Sequence, residues 1–253
     1  MSFVFITGLG VETFAEERVV RVAGDPYPPW TEGEAGSKAT GGVAVEIVQQ
    51  LFDRLGMKTL TVVYPFERGM QRIKDGSEDV ILMVSKTQER EAFISFTPPI
   101  RNSRWVFFHL KEKDFQWTQW EDLKPYRIGY VTGNNVGKEF PAAAEKYNYY
   151  IEEVKADIFN ARKLLLGRID IALTDVEVMQ RIIELNPEFQ NKLDWNEKPV
   201  FESFYHLGIS KKSFLAPMLP KIKEVLEQMK GDGTFQEIFC KYGKEYQGSC
   251  EGD

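Results

Sequence analysis

The chain has few cysteines and histidines, no excess of positive charge and no long apolar run. Two cysteines and two histidines occur among its 253 residues. There is no CxxC motif or His/Cys cluster of the kind that holds a structural zinc ion, and we expect no metal or other cofactor. The net charge of −6 argues against nucleic acid as a main partner. No stretch approaches 18 apolar residues without charge, which argues against a membrane-spanning helix after the start of the chain.

Strand-like and helix-like patterns alternate along the rest of the sequence. This alternation predicts an α/β fold with largely parallel sheets and a sizeable core. The predicted strands lie at 18–23, 58–64, 79–84, 104–109, 127–131, 149–154, 170–173 and 204–210. The predicted helices lie at 44–55, 68–74, 136–147, 157–166, 176–185, 217–230 and 234–242.

Both ends of the chain suggest export. Residues 1–16 are apolar at first and reach a small residue, Ala15, before a charged pair, which indicates the remnant of a signal peptide. The alternative is a disordered start. Cys240 and Cys250 lie close together near the end of the chain, and in an exported protein this spacing favours a disulfide over two free thiols.

The segment 79–100, DVILMVSKTQEREAFISFTPPI, is the most informative stretch. A buried strand runs into a polar turn at Ser85, and a helical turn that carries Arg90 follows. An arginine fork is a natural partner of a carboxylate, and the free N–H groups of a helix start add anion affinity. The segment therefore predicts a carboxylate-binding corner.

The same segment resembles the central motif of the family 3 extracellular solute-binding proteins, the periplasmic receptors of amino-acid ABC importers. Four further motifs are similar to those of the family and occur in the same order: GDPYPPW, GGVAVEIVQQLFDRLG, GYVTGNNVG and GRIDIALTD. Five motifs in order are far more specific than any one alone.

The resemblance implies a two-lobed, type II periplasmic-binding-protein fold with two hinge crossings. We place lobe 1 at 17–107 plus 206–253 and lobe 2 at 108–205. It further implies a monomer in the periplasm that captures an amino acid or similar small zwitterion by hinge closure and passes it to the permease subunits of an ABC importer.

The resemblance also assigns charged groups to the ligand. Arg90 is expected to bind the α-carboxylate, with Ser85 hydrogen-bonding beside it. Asp175 is expected to bind the α-ammonium group from the other lobe. Asp175 precedes the predicted helix at 176–185, and on sequence alone a helix cap is an equal alternative for it.

Aromatic residues are expected around the ligand side chain. In similar proteins, aromatic residues at the positions of Tyr27 and Phe66 enclose it. Trp30 is a further candidate, although packing in the core is the favoured alternative for it. Asp25 lies beside these residues and could select a polar or cationic side chain, or cap a turn.

Two more positions complete the predicted site. The turn that contains Thr132 and Asn134 could offer backbone N–H groups from lobe 2, although it is also an ordinary turn signal. Met83 stands where many similar proteins have glycine, so that its backbone carbonyl remains available while its side chain narrows the pocket wall.

Two other functions remain open from the sequence. The same scaffold can support an enzyme of the cyclohexadienyl dehydratase kind, which would need a catalytic carboxylate such as Asp25, Glu67 or Asp175. It can also serve as the ligand-binding module of a sensor. We expect a binding protein and not an enzyme.

Overall fold

The computed structural model describes residues 18–244 together with 246 and 250, so the predicted signal remnant lies outside the described residues. Strands and helices alternate there as the sequence predicts. The strands are β1 Val20–Gly24, β2 Thr59–Val63, β3 Val80–Ser85, β4 Ile94–Phe96, β5 Arg101–Leu110, β6 Arg127–Val131, β7 Tyr150–Val154, β8 Ile171–Asp175, β9 Leu193–Trp195 and β10 Phe201–Ser210. The helices are α1 Val43–Arg54, α2 Phe66–Asp75, α3 Gln88–Glu91, α4 Glu139–Tyr147, α5 Asp157–Leu165, α6 Val176–Leu185, α7 Leu219–Gly231 and α8 Thr234–Lys241.

The strands form a mixed sheet in the order β2-β1-β3-β10-β5-β8-β6-β7. The pairs at its two ends, β2-β1-β3 and β8-β6-β7, are parallel. The two long central strands, β5 and β10, are antiparallel to each other and to their other partners. The sequence pattern did not predict the short strands β4 and β9. In the structure, β4 pairs with β10 and β9 pairs with β5.

The central strands connect two lobes. The start of β5 pairs with β10 over Arg101–Trp105, and its end pairs with β8. In the same way, the start of β10 pairs with β5, and from Tyr205 onward β10 pairs with β3. We call the half of the molecule with β1 to β4 the first lobe and the half with β6 to β9 the second lobe. The protein therefore has a two-lobed, periplasmic-binding-protein-like α/β fold.

Helix α1 shows why the amphipathic segments fold as they do. Its apolar residues recur three or four positions apart and are fully buried, as at Ile47, Val48 and Leu51. Such a stripe places one helix face on the core. The chain then turns at Gly56, whose φ of 71° lies in the left-handed region that glycine adopts without strain.

The C-terminal helices pack on the first lobe. Both α7 and α8 contact α1, and Arg54 at the end of α1 forms an ion pair with Asp232. Cys240 and Cys250 form a disulfide in the structure. Among the described residues, none of the helices combines the length and apolar character needed to cross a membrane.

Candidate functional site

The site begins with a bulge in β3. Ile81 pairs with Gly208 of β10 and Val84 pairs with His206, so that Leu82 and Met83 together face one residue of the partner strand. Met83 has a φ of 49°, in the region where residues other than glycine are rare. The bulge turns Met83 toward the cleft between the lobes and gives a physical reason why glycine would suit this position.

Arg90 lies at the end of that strand on the short helix α3. The hydroxyl of Thr87 caps the helix by accepting a hydrogen bond from the Arg90 amide at 3.2 Å. Nη1 of Arg90 donates to the Ser85 carbonyl at 3.0 Å and to Ser85 Oγ at 2.7 Å. Nη2 donates across the cleft to the Gly133 carbonyl at 2.9 Å. Burial lowers the pKa of Arg90, yet a guanidinium remains charged at every physiological pH.

A cavity surrounds Arg90 where the lobes meet. Seven of the ten residues predicted to contact ligand contribute to its lining, which joins residues that are far apart in the sequence. The lining residues are Asp25, Tyr27, Phe66, Met83, Ser85, Arg90, Asn134, Asn135 and Tyr205.

Two aromatic contacts shape this cavity. The guanidinium carbon of Arg90 lies 5.2 Å from the centre of the Phe66 ring, which is within the range of a cation–π interaction. Tyr27 and Tyr205 meet through their hydroxyl groups at 3.2 Å, and both side chains are buried. The aromatic rings therefore form apolar walls next to the charged arginine.

Asp25 supplies a carboxyl group to the cavity wall. Burial, with a further contribution from the negative charge of Asp157, raises the pKa of Asp25 to about 7. Burial likewise raises the pKa of Asp157 to about 6. Asp25 belongs to the first lobe and Asp157 begins α5 in the second, so two carboxyl groups from different lobes influence each other across the cleft.

Asp175 lies behind the cavity and not in its lining. It caps α6 through Oδ1, which accepts hydrogen bonds from the amides of Glu177 at 2.9 Å and Val178 at 3.2 Å. Its Oδ2 accepts a hydrogen bond from Nη2 of Arg101 at 2.5 Å. The capping alternative is what the structure shows, and a contact between Asp175 and ligand stays a prediction.

Trp30 and Thr132 also lie outside the cavity lining. Trp30 is 1% exposed and packs edge-on against Phe239 at 5.5 Å, as the packing alternative expects. Thr132 binds β7, where its amide and its hydroxyl both donate to the Val154 carbonyl. These contacts fix the turn that presents Gly133 and Asn134 to the cleft.

Comparison with known proteins identifies the family. The model of the bacterial extracellular solute-binding proteins, family 3, matches residues 20–245. The chain belongs to this family.

Its relatives are distant in sequence and close in fold. ABC transporter arginine-binding protein 1 of Escherichia coli (strain K12) is 23% identical over 215 residues, covering 84% of this chain and 85% of the relative. The arginine-, lysine-, histidine-binding protein of Geobacillus stearothermophilus has a TM-score of 0.77 at 22% identity, with 91% and 97% of the two chains covered. A histidine kinase sensor domain with similarity to periplasmic binding proteins has a TM-score of 0.79 at 21% identity, with 91% and 99% covered.

The sequence did not identify three residues of this region. Tyr205 lies within the apolar run of β10, where nothing distinguishes it from a core residue. Asn135 follows Asn134 in the predicted turn, and the turn pattern does not show which of its residues line the cavity. Arg101 is a buried arginine at the start of β5, and its partner Asp175 is 74 positions away, a separation that no single sequence reveals.

Proposed function

We propose that this family 3 solute-binding protein captures an amino acid or a similar small zwitterion between its lobes and delivers it to an ABC importer. The observation that supports this most directly is the position of Arg90. It is 8% exposed, it lies in the cavity between the lobes, and it donates a hydrogen bond to each side of the cleft.

Arg90 is free to bind a carboxylate. Its hydrogen bonds to Ser85 and Gly133 use three of the five N–H groups that a guanidinium carries. Among the described residues nothing accepts the other two, which are on Nε and Nη2. Two N–H groups of this kind match the two oxygens of a carboxylate.

The remaining cavity residues would select the ligand side chain. Phe66 and Tyr27 offer apolar surface, and Asp25 offers a carboxyl group that favours a cationic or hydrogen-bonding group. Two of the three similar proteins named above are called arginine-binding, or arginine-, lysine- and histidine-binding. A basic amino acid is therefore the first ligand to test.

Export to the periplasm and release to a permease follow from the same proposal. The relative from Escherichia coli is named as a part of an ABC transporter, and the matched family is extracellular. The disulfide near the C-terminus is in keeping with an oxidising compartment.

A thermal-shift screen against the 20 common amino acids tests the function. A ligand that binds only the native state stabilises it by about 3 kcal/mol when the free ligand concentration is a hundred times the Kd. The melting temperature rises as a result. Small-angle scattering with the best ligand should then show a smaller radius of gyration, because closure brings the lobes together. An unchanged radius at saturation would count against hinge closure.

Catalysis is a second candidate because of Asp25. A carboxyl group with a pKa of about 7 in a cleft could act as a general acid or base near neutral pH. Incubation with prephenate and arogenate tests it. Product formation that the Asp25→Asn variant loses would favour a dehydratase over a binding protein.

A further inference from the structure

Asp175 has no free acceptor for a ligand. A carboxylate offers about four lone-pair sites, and the protein fills all of them. Oδ1 accepts the two amide hydrogen bonds that cap α6. Oδ2 accepts hydrogen bonds from Arg101 and from the hydroxyl of Ser103. Since Asp175 is fully buried, a ligand ammonium group could bind it only by displacing one of these donors.

Arg101 is held firmly in this place. Its Nε donates to the Asn102 carbonyl at 2.8 Å, and its Nη1 donates to Glu177 at 3.2 Å. Its guanidinium carbon lies 4.2 Å from the centre of the Trp30 ring, and the side chain is 4% exposed. Displacing Arg101 would leave a buried charge without its partner, which is costly.

The ion pair also cancels the charge that would attract an ammonium group. Arg101 carries one positive charge and Asp175 one negative charge. Tyr27 and Tyr205 line the cavity and are hydrogen-bonded to each other. Arg101 and Asp175 do not line it. The ligand therefore meets two tyrosine rings on this side, backed by a neutral pair.

Asp25 is the carboxyl group that remains for a cationic ligand group. It contributes to the lining together with Arg90. Within the described part of the chain, no side chain and no other residue's amide donates a hydrogen bond to it. A positive group that a ligand carries would thus meet Asp25, on the same lobe as the arginine that binds its carboxylate.

We propose that Arg101 takes the place of the ligand's α-ammonium group at Asp175, so that this protein binds small carboxylates for which an α-ammonium group is dispensable. The proposal rests on the proposed function, in which Arg90 binds the carboxylate. It makes Arg101 the residue that determines this specificity.

Matched pairs of ligands test the proposal on the wild-type protein. Each pair consists of an amino acid and the same acid without its α-ammonium group: L-arginine and 5-guanidinopentanoate, L-histidine and 3-(imidazol-4-yl)propanoate, L-glutamine and 4-carbamoylbutanoate, L-phenylalanine and 3-phenylpropanoate. Thermal shift identifies the pair that binds best, and calorimetry then gives both dissociation constants.

We expect the two dissociation constants of that pair to agree within about threefold. For comparison, a tenfold difference corresponds to about 1.4 kcal/mol of binding free energy. A site built around the ammonium group would instead reject the deaminated acid by about a hundredfold or more, and that result would overturn the proposal while leaving the proposed function intact. No binding by any member of the pairs at about 10 mM would contradict both.

A variant locates the effect at Arg101. Arg101→Gln removes the positive charge beside Asp175, so we expect this variant to prefer the amino acid over its deaminated partner by at least about tenfold. Arg104→Gln, an exposed position on the same strand, should keep the wild-type ratio. A folded Arg101→Gln protein with the wild-type ratio would show that Arg101 is not the determinant. Should this variant fail to fold, the wild-type ratio still decides the proposal.

Discussion

Nη2 of Arg90 donates a hydrogen bond to the carbonyl oxygen of Gly133 at 2.9 Å, and these two residues belong to different lobes. The bond joins Arg90, the residue proposed to bind the ligand carboxylate, directly to the opposite wall of the cleft. If the lobes close on a ligand as proposed, this bond forms only in the closed arrangement.

Arg90→Ala should abolish ligand binding and leave the fold intact. The ligand carboxylate would lie buried without its partner, and truncations of this kind cost about 2–5 kcal/mol. Calorimetry with the best ligand of the screen measures the loss. Arg104→Ala, which removes an exposed arginine, is the matched control and should bind normally. An unchanged dissociation constant for Arg90→Ala would remove Arg90 from the site.

Gly133→Ala should weaken binding by hindering closure. The residue has a φ of 79°, and an added Cβ would overlap the carboxylate of Glu67 on the first lobe. Gly36→Ala is a matched control, since Gly36 also has a positive φ, 96°, but meets no atom within 4 Å. We expect both variants to lose about 1 kcal/mol of stability from backbone strain. Only Gly133→Ala should also lose affinity, because the Glu67 side chain has to move aside before the lobes can close.

Asp175→Asn should destabilise the protein more than a lost cap does. Asparagine replaces aspartate well as a helix cap, but Arg101 would stay buried with only the partly exposed Glu177 as a charged partner, and losing the buried partner costs about 3–5 kcal/mol. Chemical denaturation measures the change. Glu177→Gln is the control, because Glu177 is 40% exposed and contributes a weaker pair with Arg101. Equal stability of Asp175→Asn and wild type would contradict the role of the ion pair.

Asp25 should make stability depend on pH. Its pKa of about 7 in the folded protein lies above the ordinary value near 4, so the folded state binds more protons between these values. Stability should fall as the pH rises from about 4 to about 7. Asp25→Asn should remove part of this fall, with a melting temperature about 2–8 °C higher than wild type at pH 8 and little changed at pH 4. Asp157→Asn should act in the same direction between about pH 4 and 6, and a flat wild-type profile would contradict the prediction.

Reduction of the bond between Cys240 and Cys250 should lower stability and spare affinity. The two residues are 10 positions apart, and a loop of this length gives about 2–3 kcal/mol in the chain-entropy picture. The double variant Cys240→Ser, Cys250→Ser should match reduced wild-type protein in melting temperature and wild-type protein in dissociation constant. Two free thiols in protein purified from an oxidising compartment would count against the bond.

Much of the fold follows from local patterns in the sequence. Apolar periodicity placed the long helices and most strands within a few residues of their observed bounds, and helix α6 coincides with its prediction. The three-residue strands β4 and β9 were missed because a pattern so short carries no period. The lobe boundaries predicted at 107–108 and 205–206 stay a prediction.

The site was less accessible to sequence reasoning because it depends on pairings across long separations. A local motif indicated that Arg90 and Ser85, five residues apart, lie together, and they share the cavity lining, while their contact with ligand stays a prediction. The motif could not show that Asp175 is bound to Arg101, nor that Tyr205 joins Tyr27, 178 positions away. Contacts of this kind arise only when the two long strands bring both lobes to one place.

The pairing of β5 with β10 limits how this site can be redesigned. Arg101, Ser103 and Trp105 alternate with exposed residues along the paired segment, so inserting or deleting one residue there would turn each of these side chains to the opposite face. Such a change would remove Arg101 from Asp175 and shift the second lobe against the first in the same step. Variant libraries designed for new ligands should therefore change residue types in the paired segments of β5 and β10 and keep the length of these segments constant.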